Sequence, residues 1–499
     1  MCEHVLQTFK LRLHVFHEGR ARKERKMRTH ITLVNPPFSS LLQHSPFSSL
    51  HQHPPFISLG LGYLAAVLEK NQYEVDVIDC QALKLSYEKF KSQISKRQPN
   101  IVGVTSTITT YKSALHIAKI AKEVCPKCLT VLGGPHVTFW DEKTLQECAS
   151  VDIVVRKEGE NTMLELAERV EAGKDYYDVL GITCRKDGKI VKNPDRAYIE
   201  NLDDIPFPAR HLWPNEFLQK YGIFPLVTSR GCVNWCSFCS EVRMHGRKYR
   251  VRSPKNVVDE LEFLQNTYAA EHFAFCDATF TVDQDRTEEL CEEIRKRKLK
   301  IKWTCETRVD KVTKELLLKM REAGCIAVWF GVESGSQNVL DTMRKGISVA
   351  QTIRAFEWAK EAGLKPVASV ILGFPGETKE TARESIKLVE KICPNDVGYT
   401  IATPYAGTPM YDFVKENGWL KITDFDKYDT ATPIFETPTL SMKEIKKIYE
   451  QVLQSFYLRP TYILHMFAKG GMHGFSATKT AFAHLIIAMK SKFQSNNLP

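Results

Sequence analysis

Thr228-Ser229-Arg230-Gly231-Cys232-Val233-Asn234-Trp235-Cys236-Ser237-Phe238-Cys239-Ser240 is the stretch on which the reading of this chain turns. Its three cysteines are separated by three residues and then by two, a spacing at which thiolates of one loop can converge on a single metal centre. A loop that supplies three thiolates and no fourth leaves one iron of a 4Fe-4S cube without a protein ligand. Such an open position can take a small molecule and pass it an electron. Gly231 lets the backbone turn tightly before the first cysteine, and residues 224–228 (Phe-Pro-Leu-Val-Thr) read as a short buried strand leading in. The competing reading is three buried thiols on one helix face, because i, i+4 and i+7 is also a helical stripe.

Cys232-x3-Cys236-x2-Cys239, with aromatic Phe238 directly before the last cysteine, resembles the signature of the radical S-adenosylmethionine (radical SAM) superfamily. The resemblance implies that the three thiolates hold the cluster and that the amine and carboxylate of SAM chelate the fourth iron. Reductive cleavage would then yield a 5′-deoxyadenosyl radical, with binding, orientation and exclusion of side reactions left to the protein.

Downstream of the loop, helices and strands alternate. Helices are expected over 254–268, 287–297, 314–323, 349–362 and 378–392, and strands over 272–276, 302–305, 327–330, 366–372 and 397–402. With the strand before Cys232 these make six β/α units, a partial TIM-type barrel over 222–420 whose site lies at the strand carboxyl ends. Polar groups follow those ends: Asp277, Glu306 with Arg308, Gly331-Val-Glu333-Ser334-Gly335, and Gly373-Phe-Pro-Gly376-Glu377-Thr378. A carboxylate for a cationic amine and a glycine turn beside a ribose are what SAM requires chemically. The resemblance assigns Glu333 and Asp277, with Ser334 alongside, to the ribose or amine of SAM, and Arg308 to its carboxylate. Ala278 stands where the family usually has a second acid, a departure that bears on the amine contact. Each residue taken singly also reads as a solvated or capping charge.

Upstream, residues 28–200 alternate in the same way. Strands over 31–34, 74–78, 101–104, 130–132 and 153–155 are interleaved with helices over 60–70, 86–96, 112–125, 142–148 and 161–171. Such a pattern makes a parallel sheet covered on both faces, with ligands bound beyond the carboxyl ends of the strands. The residues at those ends are small or turn-forming: Asn35-Pro-Pro37, Thr105-Ser106-Thr107, Gly133-Gly134-Pro135-His136 and Glu158-Gly-Glu160. Through Val34-Asn-Pro-Pro37, Leu59-Gly-x-Gly-Tyr-Leu-Ala-Ala66 and Gly133-Gly-Pro-His136 the stretch resembles the Rossmann-like cobalamin-binding domain of one radical SAM branch. That implies cobalamin contacts from Thr105, Ser106, Gly133, Gly134, His136 and Glu158. Domains that ligate cobalt through their own histidine carry Asp-x-His-x-x-Gly after the second strand, whereas Asp79-Cys80-Gln81-Ala82-Leu83-Lys84 has neither the His nor the Gly. The lower axial position is therefore expected to lack a histidine from this loop. His136 reads as a turn residue packing on the corrin or a neighbouring loop, and a doubly wound module with another ligand is the plainer alternative for the domain.

Residues 182–184 and 189–191 flank the turn pair Asp187-Gly188, a hairpin signal. Residues 201–221 form a proline-stiffened linker. Residues 1–27 are a basic extension without the apolar core of a signal peptide. Residues 421–499 are a small helical region with helices over 442–457 and 478–493. The second joins Phe482, Leu485, Ile486 and Met489 with Lys479, Lys490 and Lys492, a pattern for peripheral membrane contact, a lipid-like substrate pocket or a plain helical cap.

A chain of 499 residues has the length for several domains. It contains no run of eighteen apolar residues. The net charge of +10 is partly local to 20–28 and argues weakly for nucleic acid, so no nucleic-acid partner is expected. Most of the fourteen cysteines stand alone in apolar strands or helices, among them Cys80, Cys148, Cys184, Cys276, Cys305, Cys325 and Cys393. That is buried-thiol usage in a reducing, cytoplasmic compartment, and Cys125-Pro-Lys-Cys128 reads as a helix-to-strand turn. The reading as a whole is a cobalamin-dependent radical SAM enzyme whose cofactors are a 4Fe-4S cluster, SAM and cobalamin. It would methylate an unactivated carbon of a small or lipid-like molecule, with electrons from a ferredoxin- or flavodoxin-type donor and no side chain acting as general acid or base. Alternatives are a cobalamin-assisted cyclase of the anaerobic tetrapyrrole kind, a methylthiotransferase and a non-catalytic iron–sulfur protein. The methylthiotransferase would need three further cluster cysteines and a basic terminal β-barrel, and neither is evident.

Overall fold

The computed structural model describes residues 29–38, 56–459 and 462. Strands β1 (His30–Asn35), β2 (Glu74–Asp79), β3 (Ile101–Thr105), β4 (Leu129–Gly133) and β5 (Ile153–Val155) run parallel in the order β2-β1-β3-β4-β5. The antiparallel hairpin β6 (Ile182–Lys186) and β7 (Lys189–Lys192) extends the sheet beyond β5. Its turn residues Asp187 and Gly188 both have positive φ, 50° and 75°, as a two-residue hairpin loop requires. Alternation along β1 sends Ile31 and Leu33 into the layer that contains Leu61, Ala65 and Leu166, and Val34 into the opposite layer with Phe90, Ile94 and Ile117. Both faces are thus covered by helices, and the strand order reverses at β1, which places the ligand crevice beyond the carboxyl ends of β1 and β3.

The second sheet is built from β8 (Ile223–Leu226), β11 (His272–Phe275), β12 (Lys302–Thr307), β13 (Cys325–Glu333), β14 (Lys365–Leu372) and β15 (Asp396–Ile401). They are parallel in the order β15-β14-β13-β12-β11-β8, the expected six-stranded partial barrel. Pro225 lies in β8 at the sheet edge, where a missing N–H costs no ladder bond. Trp303, Phe273, Phe275, Phe280 and Phe330 are almost wholly buried and fill the barrel core. A short antiparallel ladder of β9 (Ser229–Arg230) and β10 (Arg250–Val251) brackets the cysteine loop.

The linker is a buried clasp. Arg210 and Arg252 both pair with the fully buried Glu260, at 2.6 and 2.5 Å, and Trp213 Nε1 donates to Asp79 at 2.9 Å. It also contains a helix, Asn215–Tyr221, which the sequence reading lacked, as it lacked the short helices Glu241–His245, Gln337–Thr342 and Pro409–Glu416. The C-terminal helix Met442–Tyr457 starts on a Ser441/Glu444 capping box and packs against β14 and β15. The Tyr457 hydroxyl donates to the Val397 carbonyl at 2.7 Å. The expectations for 1–27 and 478–493 fall outside the described residues, and among the described residues no helix is long and apolar enough to cross a membrane.

Candidate functional site

Residues 231–240 are irregular rather than helical, which removes the helical-stripe reading of the three cysteines. Gly231 turns the chain at φ 86°, and a Cβ there would lie 2.3 Å from the Lys248 carbonyl oxygen; the position admits only glycine. The loop is then pinned from several sides. The Cys232 amide donates to the Gly246 carbonyl at 3.3 Å, the Ser237 amide to the Met343 carbonyl at 2.9 Å, and the Met410 amide to the Ser237 carbonyl at 2.9 Å.

Cys232, Cys236 and Cys239 line one small pocket with Asn234, Trp235 and Arg243. Asn234 Nδ2 donates to the Cys232 sulfur at 3.4 Å, and the Glu241 amide to the Cys239 sulfur at 3.5 Å. Among the described residues no three His, Cys, Asp or Glu groups are already drawn together at ligating distance. The donor set still suits an iron–sulfur cluster: three soft thiols in one pocket, N–H groups aimed at sulfur, and cations beside them. Burial pushes the Cys236 thiol up, and the charges of Lys345 and Arg308 pull it back.

Arg308 follows β12 and is 4% exposed. Its Nη1 lies 3.8 Å from the Cys236 sulfur, while Asp310 and the Lys345 carbonyl hold its other nitrogens at 2.8 and 2.6 Å. Glu333 ends β13 beyond a register shift, in the left-handed region at φ 61°. A non-glycine residue held there is over-determined by its surroundings, and here Lys345 Nζ grips its carboxylate at 2.6 Å, both groups buried. Lys345 was missed in the sequence, where no motif marks it. Asp277 accepts from the amide and hydroxyl of Thr228 and the amide and hydroxyl of Ser229. Both its oxygens are taken, so in this structure it fixes the strand that launches the cysteine loop. Burial raises its carboxyl, and the donors work against that. Ser334 is buried in a turn, accepting from the Ser336 amide at 3.1 Å with Ser385 alongside.

A cleft of about 550 Å³ separates the two sheets. Thr105, Gly133, Gly134 and Glu158 line it from the N-terminal domain, and Ser229, Cys276, Asp277 and Glu306 from the barrel. Of the six residues expected at cobalamin, those four face the cleft. Gly134 has φ 108°, and a Cβ would come within 2.7 Å of the Ser106 carbonyl oxygen, so bare backbone forms this part of the wall. Ser106 is fully buried behind it, its amide donating to the Gly133 carbonyl at 2.8 Å. His136 is turned away by the short helix Pro135–Thr138 into a cage of Tyr111, Trp140 and Phe425. Burial there pushes its pKa down to about 3. In this structure His136 packs against Phe425 of a neighbouring segment.

Glu158 is gripped by Arg250 at 2.6 and 3.0 Å. Its carboxyl is raised by burial but carried down to about 2 by His245, Arg250 and Arg230. Cys276 and Cys393 are exposed, against the buried-thiol expectation. Cys276 sits one residue past β11 on the cleft wall, and Cys393 is a left-handed helix cap at φ 41°. Cys125 and Cys128 form the expected buried turn.

Residues 226–389 match the radical SAM superfamily, and residues 53–167 match the B12 binding domain. The chain is 36% identical over 436 residues to an uncharacterized methyltransferase of Pyrococcus horikoshii, covering 87% of this chain and 94% of that one. It is 33% identical over 424 residues to the anaerobic magnesium-protoporphyrin IX monomethyl ester cyclase of Rubrivivax gelatinosus, covering 82% and 75%. In solved structures, the radical SAM methyltransferase TsrM of Kitasatospora setae, with cobalamin and a 4Fe-4S cluster bound, superposes with a TM-score of 0.73. The match covers 93% of this chain and all of TsrM at 18% identity, a likeness of fold.

Proposed function

Because this chain belongs to the radical SAM superfamily, in the branch that carries a B12 binding domain, we propose that it is a C-methyltransferase acting on an unactivated carbon of a small molecule. The observation that carries the proposal is the shared cleft, whose walls are the carboxyl ends of β3 and β4 on one side and of β11 and β12 on the other. A methyl carrier and a radical source held by the two domains would face one space. When bound, the cluster, SAM and cobalamin supply the electron, the hydrogen-abstracting radical and the methyl group. The chain's own residues bind and orient. Cys232, Cys236 and Cys239 hold the cluster, and Arg308 offers a fixed guanidinium to the SAM carboxylate. Glu333, locked by Lys345, faces the ribose or amine, while Asp277 acts through the Thr228–Ser229 backbone. Thr105, Gly133 and Gly134 give the corrin a close backbone surface. No side chain is required as general acid or base. The electron donor is of ferredoxin or flavodoxin type, and a reducing cytoplasmic setting suits the thirteen described cysteines, all of them free.

Cyclisation is the second reading, favoured by the cyclase relative. The two separate on anaerobic reconstitution with cobalamin, a low-potential reductant and SAM deuterated in its methyl group, followed by mass spectrometry of a metabolite extract. Methylation gives a product heavier by the labelled methyl, together with 5′-deoxyadenosine. Cobalamin retention and 5′-deoxyadenosine without label transfer would favour the cyclase and overturn the methyltransferase.

A further inference from the structure

Arg230 and Arg250 stand directly opposite one another in the β9–β10 ladder. Like charges in that position repel, and both side chains are buried, at 9% and 3% exposure. The ladder from which the cysteine loop hangs is therefore electrostatically unfavourable by itself. Its compensation comes from the other domain, across the cleft. Glu160 takes Arg230 Nη2 at 2.6 Å. Glu158 takes Arg250 with both oxygens, at 2.6 and 3.0 Å, and lies 3.5 Å from Arg230 Nη1. Both carboxylates are themselves buried; Glu158 lies in the turn after β5 and Glu160 opens the helix Glu160–Glu171 that follows, at a strand end that borders the cleft. Each guanidinium also lies over an aromatic ring of the N-terminal half, Arg230 over Tyr63 at 5.3 Å and Arg250 over Tyr198 at 4.9 Å.

We propose that Glu158 and Glu160 are positioning residues for the cysteine loop. By neutralising the paired arginines at its two ends, the N-terminal domain sets where the loop stands in the cleft, in addition to whatever it binds. Removing one carboxylate leaves two facing guanidinium groups buried with half their counter-charge, a state that opens rather than persists. Arg230 lies two residues before Cys232, so the opening is felt first at the cluster ligands. For its spectroscopic readout this inference rests on the reading of Cys232, Cys236 and Cys239 as cluster ligands; for its exchange readout it does not.

The test compares full-length wild type with Glu160→Gln and Glu158→Gln, anaerobically reconstituted with iron, sulfide and cobalamin. Hydrogen-exchange mass spectrometry follows peptides within 228–252, and electron paramagnetic resonance follows the reduced cluster before and after SAM addition. In Glu160→Gln, exchange within 228–252 is expected to be at least roughly tenfold faster, with β1 to β4 and β13 to β15 unchanged. The SAM-induced change in the cluster spectrum should shrink, and cobalamin retention should hold. Adding Arg230→Gln to Glu160→Gln should bring exchange back toward wild type, because it removes the guanidinium left without its counter-charge. Should the Gln variants fail to fold, Arg250→Lys, which keeps the charge and loses the two-pronged contact, should speed the same peptides to a lesser degree. Unchanged exchange in 228–252, or a rise spread evenly over the barrel, overturns the proposal. Wild type that takes up no iron and sulfide would count against the cluster reading alone, since the exchange comparison stands in the apoprotein.

Discussion

Arg308 donates from Nη1 to the Cys236 sulfur across 3.8 Å, while Asp310 and the Lys345 carbonyl keep its guanidinium from swinging away. A cation fixed beside a cluster thiolate serves both a developing negative charge on the metal centre and the carboxylate of a ligand seated on it. Arg308→Met should therefore weaken SAM binding by about 10- to 100-fold, the worth of a charged hydrogen bond, and move the cluster midpoint potential to a more negative value. Arg308→Lys should recover part of the potential but less of the affinity, because a point charge does not reproduce the fork. Equilibrium binding and a redox titration check both; unchanged affinity in Arg308→Met would remove the residue from the SAM site.

Asp277 has four donors from Thr228 and Ser229 on its two oxygens. An asparagine would turn an N–H₂ toward some of them, so Asp277→Asn should lower stability by about 1–3 kcal/mol. Anaerobic thermal unfolding measures this. A variant of wild-type stability that no longer binds SAM would instead make Asp277 a direct ligand.

His136 is enclosed by Tyr111, Trp140 and Phe425, and Asp79 spends its oxygens on Asn35, Gln81, Ala82 and Trp213. Cobalamin reduced to its Co(II) form on this protein should show no nitrogen splitting in its paramagnetic resonance spectrum, and His136→Phe should retain cobalamin as wild type does. A nitrogen triplet that disappears in His136→Phe would contradict this.

The three-cysteine loop was legible because its spacing is local, and both sheets were legible because strand and helix periods alternate at regular lengths. The partners of those residues were not. Arg230 meets Glu160 across a sequence separation of 70, and no pattern in either segment announces the other. Lys345 reaches Glu333 only because β13 ends in a left-handed turn. Asp277 was read as a contact to the ribose or amine of SAM, but the sequence could not say that amides and hydroxyls of Thr228 and Ser229 already occupy its oxygens. Helices of one or two turns, such as Glu241–His245 and Gln337–Thr342, carry too few residues for a periodic signal.

Glu377 is fully buried, with one oxygen accepting from the Gly373 amide and the other without a partner among the described residues. Burial raises its pKa from 4.5 to about 7, against the lowering effect of the Gly373 amide. A carboxyl raised on folding binds its proton more tightly in the folded state, so stability should fall as pH rises from about 4.5 through 7 and stay low above. Glu377→Gln should flatten this slope, whose full span is roughly 3 kcal/mol. Denaturant unfolding at pH 5.5 and 8 compares the two; an equal slope in the variant would place the titration elsewhere.

The most direct test replaces Cys232, Cys236 and Cys239 by alanine one at a time in anaerobically reconstituted protein, and measures iron, acid-labile sulfide and 5′-deoxyadenosine formed from SAM under a low-potential reductant. The expected result is a wild type that holds about four irons and four sulfides and cleaves SAM, with cleavage lost in all three variants. A variant that keeps a full cluster and still releases 5′-deoxyadenosine would contradict the assignment of these three thiolates.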